Sequence, residues 1–242
     1  MKNKKIIVIV PARGGSKRIP KKNIKYICGQ PMIFWPLMEL SKQFKPHQII
    51  ISSDDKNILS LVESKGIQSY FIRPANLSDD FVGTVPVAQH ALNWYESNVE
   101  EVEYAVVVYP TAVLLDIKNI NSSIELLMQD KSIDFITSVT SFPSPIQRAL
   151  FINQDGYAEM FEPENYLARS QDLIESMHDA GQFYVYKAEA LRKGKTILNS
   201  SVKTWKIDRD KVIDIDTAED FQIAENKMIF YGYHKYDKDW KF

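Results

Sequence analysis

The amino-acid sequence predicts an α/β protein built on an open, mostly parallel twisted sheet with helices on both faces. Residues 6–10 form an unbroken run of β-branched residues, which is typical of a strand covered on both faces. Strand and helix patterns then alternate as far as residue 139. From residue 141 to about 182 the alternation stops, which predicts a small excursion from the sheet.

The predicted strands are short runs rich in β-branched and aromatic residues. After residues 6–10 they continue at 47–52, 68–72, 104–108 and 134–139, and return at 183–187 and 202–207. The first strand is expected to lie inside the sheet because it is apolar throughout. Ligands of such Rossmann-like sheets bind beyond the carboxyl ends of the strands, so functional residues are expected in the loops that follow them.

The predicted helices are defined by capping residues and apolar periodicity. They span 31–44, 56–65 behind Asp54 and Asp55, 85–97, a segment that begins at Asp116, and 217–231. Thr84 is expected to cap the third helix, with Pro86 in its first turn. Asp216 to Glu219 is similar to a capping box for the last helix.

Residues 1–242 are expected to form a single domain. Within it, the excursion at about 141–182 contains prolines at 143, 145 and 163 and an Asn-Gln-Asp-Gly turn at 153–156 in place of long helices. No repeat, linker or low-complexity tract divides the chain. We therefore expect the excursion to belong to the same domain as the sheet.

Composition narrows the possible partners. The 30 basic and 31 acidic residues give a net charge of -1, which does not favour nucleic acid or an anionic membrane as a partner. The single cysteine, Cys28, excludes an internal disulfide framework and fits a reducing compartment. The apolar run that follows the basic residues 1–5 is too short for a signal peptide, and no segment reaches the length of a membrane span. A cytoplasmic location is expected.

The loop after the first strand, residues 11–23, has the features of a polyphosphate site. Gly14 and Gly15 let backbone N–H groups approach an anion, and Ser16 adds a hydroxyl donor. Its cations are Arg13, Lys17, Arg18, Lys21 and Lys22. The pattern is neither a P-loop nor a G-x-G-x-x-G fingerprint. The alternative is a solvated turn with incidental lysines.

Several motifs give the chain a resemblance to a known family. Residues 11–23 and then Gly29-x-Pro31-Met32-Ile33 resemble the amino-terminal signature of the CMP-sugar synthetases for acidic nine-carbon sugars. Further matches, in the same order along about 220 residues, lie at 53–55, 73–80, 109–112, 169–173 and 214–216. Within the family, the motifs at 16–20, 83–87 and 178–184 are most similar to the branch that acts on pseudaminic acid.

The resemblance implies residues for the nucleotide and for a metal ion. In the family the first loop holds the triphosphate of CTP, and the positions carried over to CTP binding are Ala12, Arg13, Gly14, Gly15, Ser16, Lys17, Asn23, Arg73 and Thr84. Asp214 and Asp216 match aspartates that hold Mg²⁺, and two residues in extended backbone share a face. Arg13, Lys17 and Asp216 are carried over as the catalytic residues. The alternative role for Asp216 is to cap the last helix. The alternative for Arg73 is an ordinary surface arginine before a proline turn.

The resemblance also implies a sugar site and a homodimer, both involving the excursion. The residues carried over to sugar binding are Thr111, Arg169, Gln171, Asp172 and Gln182, and an arginine fork suits a planar carboxylate. His178 and Gln182 are candidates to recognise an amide or hydroxyl group, and no catalytic base is assigned to His178.

The expected reaction is transfer of CMP from CTP to an acidic nine-carbon sugar, with release of pyrophosphate. Legionaminic, N-acetylneuraminic and 3-deoxy-octulosonic acids remain alternative acceptors within the same chemistry. A nucleotide-binding regulator without catalysis is the alternative from another class, and Lys17, Asp214 and Asp216 argue against it. The aromatic and lysine-containing tail, residues 231–242, is expected to be docked or frayed.

Overall fold

The protein is built on one six-stranded sheet. The computed structural model describes residues 5–233 and 240–242. The strands of this sheet are β1 (Ile6–Pro11), β4 (Ile49–Ser52), β5 (Tyr104–Val108), β6 (Phe135–Ser141), β9 (Met177–Lys187) and β10 (Val202–Lys206). Their order across the sheet is β10-β6-β9-β5-β1-β4. Neighbouring strands are parallel except where β9 pairs with β5 and β6. The predicted open, mostly parallel sheet is confirmed.

The first strand lies inside the sheet, as its apolar sequence predicts. Val8 pairs with Ile49 of β4 on one side and with Val106 of β5 on the other. Residues 6–10 of this strand are all buried. The carboxyl ends of these three parallel strands therefore meet at one edge of the sheet, directly below the loop that contains the glycines and lysines.

Helices cover both faces of the sheet. The helices are α1 (Phe34–Ser41), α2 (Lys56–Glu63), α3 (Thr84–Asn98), α4 (Ile117–Gln129), α5 (Ala188–Arg192) and α6 (Ala218–Phe230). Helices α1, α2 and α4 pack with Val8 and Val10 on one face, and α3 and α5 pack with Ile7 and Ile9 on the other. Helix α6 forms a third apolar cluster with the segment around Trp35. The alternation along β1 thus divides its side chains between two cores.

The predicted strand at 68–72 is wrong, because this segment has no ladder partner. Arg73 N donates to Ser53 O at 2.8 Å, beyond the end of β4, but residues 68–72 run alongside as irregular chain. Their aromatic side chains pack on α3 instead, with Phe71 and Tyr70 centred 5.4 and 5.3 Å from the Trp94 ring. β4 is consequently one of the two edge strands of the sheet, with β10 at the other edge.

The excursion ends earlier than the sequence predicts. β9 begins at Met177, inside the range assigned to the excursion, and inserts antiparallel between β5 and β6. The excursion itself consists of the hairpin β7 (Leu150–Ile152) and β8 (Ala158–Met160) with short 3-10 turns. The prolines and turn residues indicate the hairpin. The start of β9 was missed because its residues His178 and Asp179 are polar and do not have the composition typical of a strand.

Two predicted helix caps are wrong, and both corrections concern candidate site residues. Gly83 is the N-cap of α3, and the Thr84 hydroxyl instead lies 2.6 Å from the Tyr109 hydroxyl. Thr217, not Asp216, caps α6 and forms the capping box with Asp220. Asp216 is therefore not needed for capping and its carboxylate is available for other contacts. The cap predicted at Asp55 for α2 is confirmed.

The first predicted helix is shorter than expected, since Gln30–Pro31 (β3) pairs with Tyr26–Ile27 (β2) and α1 begins only at Phe34.

No helix among residues 5–233 and 240–242 has the length and apolarity that crossing a membrane requires. Of the predicted tail, Trp240 packs on Phe34 with ring centres 6.0 Å apart, and Phe242 N donates to Lys65 O. Residues 1–4 and 234–239 lie outside the described residues.

Candidate nucleotide-binding site

The loop after β1 forms one wall of a cavity at the carboxyl edge of the sheet, which we call the loop cavity. Its volume is about 500 Å³, within the usual range for small-molecule sites. Five cationic side chains and two carboxylates line it, and the lining residues include Arg13, Ser16, Lys17, Arg18, Lys22, Asn23, Arg73, Asp80, Thr84, Tyr109, Thr111 and Asp216. Such an excess of positive charge favours a polyanion as the occupant.

The loop backbone is fixed by contacts with the end of β4. Ala12 N donates to Ser52 O at 2.9 Å, and Gly14 N donates to the Asp54 carboxylate at 2.9 Å. A Cβ atom at Gly14 would lie 2.7 Å from Asp55 Cβ, so the close approach requires glycine. At Gly15 a Cβ atom would meet nothing within 4 Å. Gly14 is therefore needed for packing, and Gly15 is open to solvent.

Asn23 stabilises the loop after β1 through hydrogen bonds from inside the protein. Its side-chain Nδ2 donates to Arg13 O at 2.8 Å, and its own carbonyl accepts from Ile33 N at 2.9 Å. The residue is 6% exposed, although it also borders the loop cavity. Asn23 thus ties the carbonyl of Arg13 to the start of α1, which holds the loop in its curved form.

Asp80 forms ion pairs with two of the cations of the loop. Its carboxylate lies 2.6 Å from Arg13 Nη1 and also contacts Lys17 Nζ. Arg13 donates in addition to Asp79 O at 3.2 Å. Hydrogen bonds from Lys17 and then Arg13 hold the pKa of Asp80 below its ordinary value, so the carboxylate is ionised at neutral pH. An anionic ligand of Arg13 and Lys17 has to compete with this carboxylate.

Asp216 pairs with two other cations of the same loop. Arg18 Nη2 lies 2.9 Å and Lys22 Nζ 3.2 Å from its carboxylate oxygens, and Lys22 also donates to Ile215 O at 2.7 Å. The structure therefore brings the amino-terminal loop into direct contact with Asp216, about two hundred positions later. The two carboxylates, Asp80 and Asp216, pair with different cations of one loop.

Asp214 lies two residues before Asp216 in a segment without helix or strand, and the residue is exposed. Partial desolvation, and then the negative charge of Asp216, raise the pKa of Asp214 above its ordinary value. Among the described residues no group of three or more His, Cys, Asp and Glu side chains is arranged to hold a metal ion. A cation between Asp214 and Asp216 would therefore need further ligands from the substrate.

Arg73 is a buried cation at the base of the loop cavity. Its guanidinium donates to Ser52 O at 2.8 Å and to Leu77 O at 3.4 Å, while Nε has no partner among the described residues. Burial lowers the pKa of Arg73, although Asp54 acts in the opposite direction. Arg73 connects the end of β4 to the turn that follows it, and one of its nitrogens remains unpaired.

The residues predicted for sugar binding are not gathered in one place. Thr111 lines the loop cavity, but Arg169 and Asp172 form an exposed ion pair with each other at 2.7 Å, and Gln171 borders a separate cleft. Gln182 is 3% exposed and donates to Lys211 O at 2.8 Å. Within one chain, therefore, only Thr111 of this set borders the loop cavity.

His178, left without a catalytic role by the sequence, lies outside the loop cavity. Its ring packs on Phe142 with centres 4.8 Å apart, and its Nδ1 is 2.9 Å from Asp179 O. These contacts place it at the start of β9, next to the excursion.

A second cavity of about 470 Å³ shares the wall formed by Gly83, Thr84 and Tyr109 with the loop cavity. We call it the tyrosine cavity because Tyr109, Tyr184 and Tyr186 line it, together with residues of β6, α3 and the turn at 196–199. The Tyr184 hydroxyl donates to the Asp179 carboxylate. Burial raises the pKa of both Tyr184 and Tyr186, so both remain protonated.

Four residues of these cavities were missed as site residues from the sequence. Arg18 and Lys22 were counted among the loop cations, Asp80 ends a quoted motif and Tyr109 begins another, but none was assigned a contact. The ion pairs and the shared wall identify them. The sequence did contain a signal for Asp80. It is a carboxylate at the end of a motif that begins with Arg73, and such a carboxylate is expected to pair with a cation.

Comparison with known proteins identifies the family. A family model described as Cytidylyltransferase matches residues 7–235. The chain is 35% identical over 225 residues to a pseudaminic acid cytidylyltransferase of Campylobacter jejuni, covering 93% of this chain and 95% of that protein. It is 25% identical over 223 residues to an N-acylneuraminate cytidylyltransferase of Escherichia coli, covering 91% of this chain and 51% of that protein.

A relative in Helicobacter pylori joins two activities in one chain. It is 28% identical over 222 residues, covering 92% of this chain and 42% of that protein, and is described as a pseudaminic acid cytidylyltransferase and UDP-2,4-diacetamido-2,4,6-trideoxy-beta-L-altropyranose hydrolase. Among solved structures, a CMP:2-keto-3-deoxy-manno-octonic acid synthetase with CTP superposes with a TM-score of 0.69 at 14% identity, over 94% of this chain and 99% of that one. The chain belongs to the cytidylyltransferase family and is a nucleotidyltransferase.

Proposed function

We propose that this protein transfers CMP from CTP to pseudaminic acid, forming CMP-pseudaminic acid and pyrophosphate. The observation that carries the proposal is the 35% identity to the Campylobacter jejuni enzyme over nearly the full length of both chains. The loop cavity supports it, because five cations at the carboxyl edge of the sheet suit a triphosphate.

The residues of the loop cavity bind CTP and neutralise the charge of its phosphates. In the proposed complex Arg13 and Lys17 leave Asp80 and contact the phosphates, together with Ser16 and the N–H groups of Gly14 and Gly15. The buried Arg73 and the Thr84 side chain border the cavity and are proposed to contact the nucleoside end of CTP, and Ala12 and Asn23 hold the loop in shape. The protein thereby fixes the α-phosphate in position for an in-line attack.

The reaction replaces one bond at the α-phosphorus. The anomeric hydroxyl oxygen of the sugar forms a bond to this phosphorus, the bond to the bridging oxygen of the β-phosphate breaks, and the hydroxyl proton is released. Lys17 and Arg13 stabilise the charge that develops on the departing pyrophosphate. No side chain is assigned as the base that accepts the proton.

Asp214 and Asp216 fit a Mg²⁺ ion by the chemistry of their donors. Mg²⁺ is commonly held by one or two carboxylates plus substrate phosphates, and this pair offers two carboxylates beside the phosphate loop. Desolvation and then the negative charge of Asp216 raise the pKa of Asp214, and a bound cation would offset the second of these effects. When bound, the ion would neutralise phosphate charge and lower the pKa of a coordinated hydroxyl.

The excursion is proposed to complete the sugar site across a homodimer. Arg169 and Asp172 pair with each other rather than facing the loop cavity of their own chain, and the excursion exposes large apolar side chains such as Leu150, Phe161 and Leu167. A second copy that covers this surface would bring Arg169, Gln171 and Asp172 towards an acceptor carboxylate. The reaction is proposed to take place in the cytoplasm, where CTP is made.

A pyrophosphate-release assay tests the proposal. Pseudaminic, legionaminic, N-acetylneuraminic and 3-deoxy-octulosonic acids are compared with CTP, ATP, GTP and UTP in the presence of Mg²⁺, and the CMP-sugar is identified by mass. Pseudaminic acid with CTP is expected to give the highest kcat/KM. Preference for another sugar would replace the acceptor, and CTP binding without turnover would support the regulator instead.

A further inference from the structure

The turn at residues 78–83 presents an aromatic side chain to solvent beside the loop cavity. Phe81 is 95% exposed, more than any other large apolar residue that the structure describes. Asp80, Val82 and Gly83 line the loop cavity, whereas Phe81 does not. A single exposed ring is common on protein surfaces, so the contacts of the rest of this turn decide whether Phe81 has a function.

The turn is a compact unit. The Asp79 carboxylate accepts from Phe81 N at 2.8 Å and from Val82 N at 2.9 Å. These two hydrogen bonds fix the backbone on both sides of the Phe81 side chain. A Cβ atom at Gly83 would meet nothing within 4 Å, so the chain between the turn and α3 has room to rotate. The turn can therefore move as one body relative to α3.

Two ion pairs hold this turn against the phosphate loop. Arg13 Nη1 lies 2.6 Å from the Asp80 carboxylate and donates to Asp79 O at 3.2 Å. Lys17 Nζ also contacts the Asp80 carboxylate. Both pairs are partly exposed, so each contributes little free energy and exchanges readily for another anion. A triphosphate that takes Arg13 and Lys17 therefore removes these contacts and releases the turn.

The nucleoside end of the loop cavity lacks a free aromatic face. Tyr109 is the only aromatic residue among the described residues that line this cavity. Its hydroxyl lies 2.6 Å from the Thr84 hydroxyl, and its ring packs edge-on against Tyr184 of the tyrosine cavity with centres 5.9 Å apart. A base gains affinity by stacking on an aromatic ring. Phe81 lies in the chain between Asp80, beside the phosphate loop, and Thr84, at the proposed nucleoside end, so it is placed to supply that ring.

We propose that the 78–83 turn is a lid, and that the Phe81 ring stacks on the pyrimidine base once the triphosphate has drawn Arg13 and Lys17 away from Asp80. This inference rests on the proposed function in one respect, the binding of CTP in the loop cavity, and it does not depend on which sugar accepts CMP. Stacking is tolerant of base identity, so Phe81 adds affinity for the nucleoside and no selectivity between cytosine and uracil.

A pair of truncations tests the stacking. Calorimetry with Mg²⁺ and without an acceptor measures the Kd values of CTP and of inorganic tripolyphosphate, which has no base. Phe81→Ala is expected to raise the Kd of CTP about tenfold and to leave the Kd of tripolyphosphate unchanged. Leu198→Ala, which truncates a side chain that is 93% exposed in another turn, is expected to change neither. An unchanged Kd of CTP in Phe81→Ala, or an equal rise for both ligands, would overturn the proposal.

A fluorescent variant tests the movement of the lid. In Phe81→Trp the added indole is expected to be open to acrylamide quenching in the free protein and in the tripolyphosphate complex, and to be protected in the CTP complex. The emission of the wild-type protein is subtracted, and thermal unfolding verifies that the variant is folded. Equal quenching with and without CTP, or equal protection by tripolyphosphate and CTP, would contradict the lid.

The nucleotide CMP tests the role of the ion pairs. It has the base but lacks the β- and γ-phosphates, so it is expected to protect the indole of Phe81→Trp only weakly while Asp80 holds Arg13 and Lys17. Adding Asp80→Asn is expected to increase the protection by saturating CMP towards that by CTP. Equal protection by CMP with and without Asp80→Asn would overturn the control of the lid by these ion pairs.

The lid and the proposed function fail in different ways. A wild-type protein that does not bind CTP would overturn both. Turnover of CTP with the same Kd in the wild-type protein and in Phe81→Ala would leave the proposed function standing and would overturn the lid alone. A raised Kd of CTP in Phe81→Ala would support the lid even if none of the four sugars were an acceptor.

Discussion

The two neighbouring cavities differ in how their residues are distributed along the chain. The loop cavity draws most of its charge from one short loop, residues 11–23, and it contains four of that loop's cations. The tyrosine cavity takes its lining from six separate segments, namely β5, β6, β9, α3, α5 and a turn. Both cavities meet at Thr84 and Tyr109, although only the first corresponds to a continuous motif.

This difference reflects the chemistry of the residues that line each cavity. A polyphosphate needs several N–H donors and cations within a small volume, and a glycine-containing loop at a strand end supplies them locally. An apolar substituent needs only a surface of suitable shape, which any set of strands and helices can provide. A phosphate-binding cavity can therefore be inferred from a motif, whereas an apolar cavity is found only in the tertiary structure.

The largest expected effect tests the charged cavity. Lys17→Gln removes a cation from the phosphate loop and is expected to lower kcat/KM for CTP about 100-fold to 1,000-fold, the usual cost of losing one donor to developing charge. Lys21→Gln is the matched control, because Lys21 belongs to the same loop but is exposed and absent from the cavity lining. Steady-state pyrophosphate release measures both, and equal effects would indicate that the loop acts only through its overall charge.

A comparable effect is expected at the aspartate pair. Asp216→Asn weakens a ligand of the proposed Mg²⁺ and is expected to lower kcat about 100-fold and to raise the Mg²⁺ concentration that gives half-maximal activity. Asp208→Asn, at an exposed position in the same terminal region, provides the control. An unchanged Mg²⁺ dependence in Asp216→Asn would remove this residue from the metal site.

A smaller effect is expected at Asp80, which competes with phosphate for Arg13 and Lys17. Asp80→Asn is expected to tighten pyrophosphate binding by about threefold to tenfold, since both ion pairs are partly exposed and such pairs contribute little. Isothermal titration calorimetry at two salt concentrations measures the change, with Asp155→Asn as an exposed control. Weaker binding in Asp80→Asn would mean that this carboxylate positions the two cations instead of competing for them.

The smallest effect concerns stability and pH. The pKa of Asp214 is higher in the folded protein than its ordinary value of 3.8. Ionised Asp214 therefore lowers the free energy of unfolding at a pH above the raised pKa, and this destabilisation is absent below pH 3.8. Asp214→Asn is therefore expected to raise Tm at neutral pH by about 1–2 °C, a small shift because the group is exposed, and to leave Tm unchanged at acid pH. Calorimetry without divalent metal checks this, and a lower Tm at neutral pH would contradict the pKa direction.

The sequence predicts those parts of the fold whose local patterns are strong. The apolar runs at β1 and β5 and the Asp55 cap indicate their elements correctly, because burial and capping are encoded by neighbouring residues. Residues 68–72 have the composition of a strand, yet their aromatic side chains pack on α3. The antiparallel insertion of β9 was not predicted either, since strand direction depends on distant partners.

The site shows the same limit. The proximity of the loop to Asp216 was predicted from motifs and is observed in the structure. The Thr217 cap differs from the expected one by a single residue, which only the backbone geometry decides. Ion pairs with Asp80 and the wall at Tyr109 depend on side-chain packing between separate segments, which a single sequence does not specify.

The most direct test of the central claim is a crystal structure with a non-hydrolysable CTP analogue and Mg²⁺. We expect the triphosphate in the loop cavity, with Arg13 and Lys17 moved from Asp80 onto phosphate oxygens and with the metal ion between the phosphates and the Asp214 and Asp216 carboxylates. A nucleotide bound elsewhere, or bound in the loop cavity with Asp80 still holding both cations, would contradict the account.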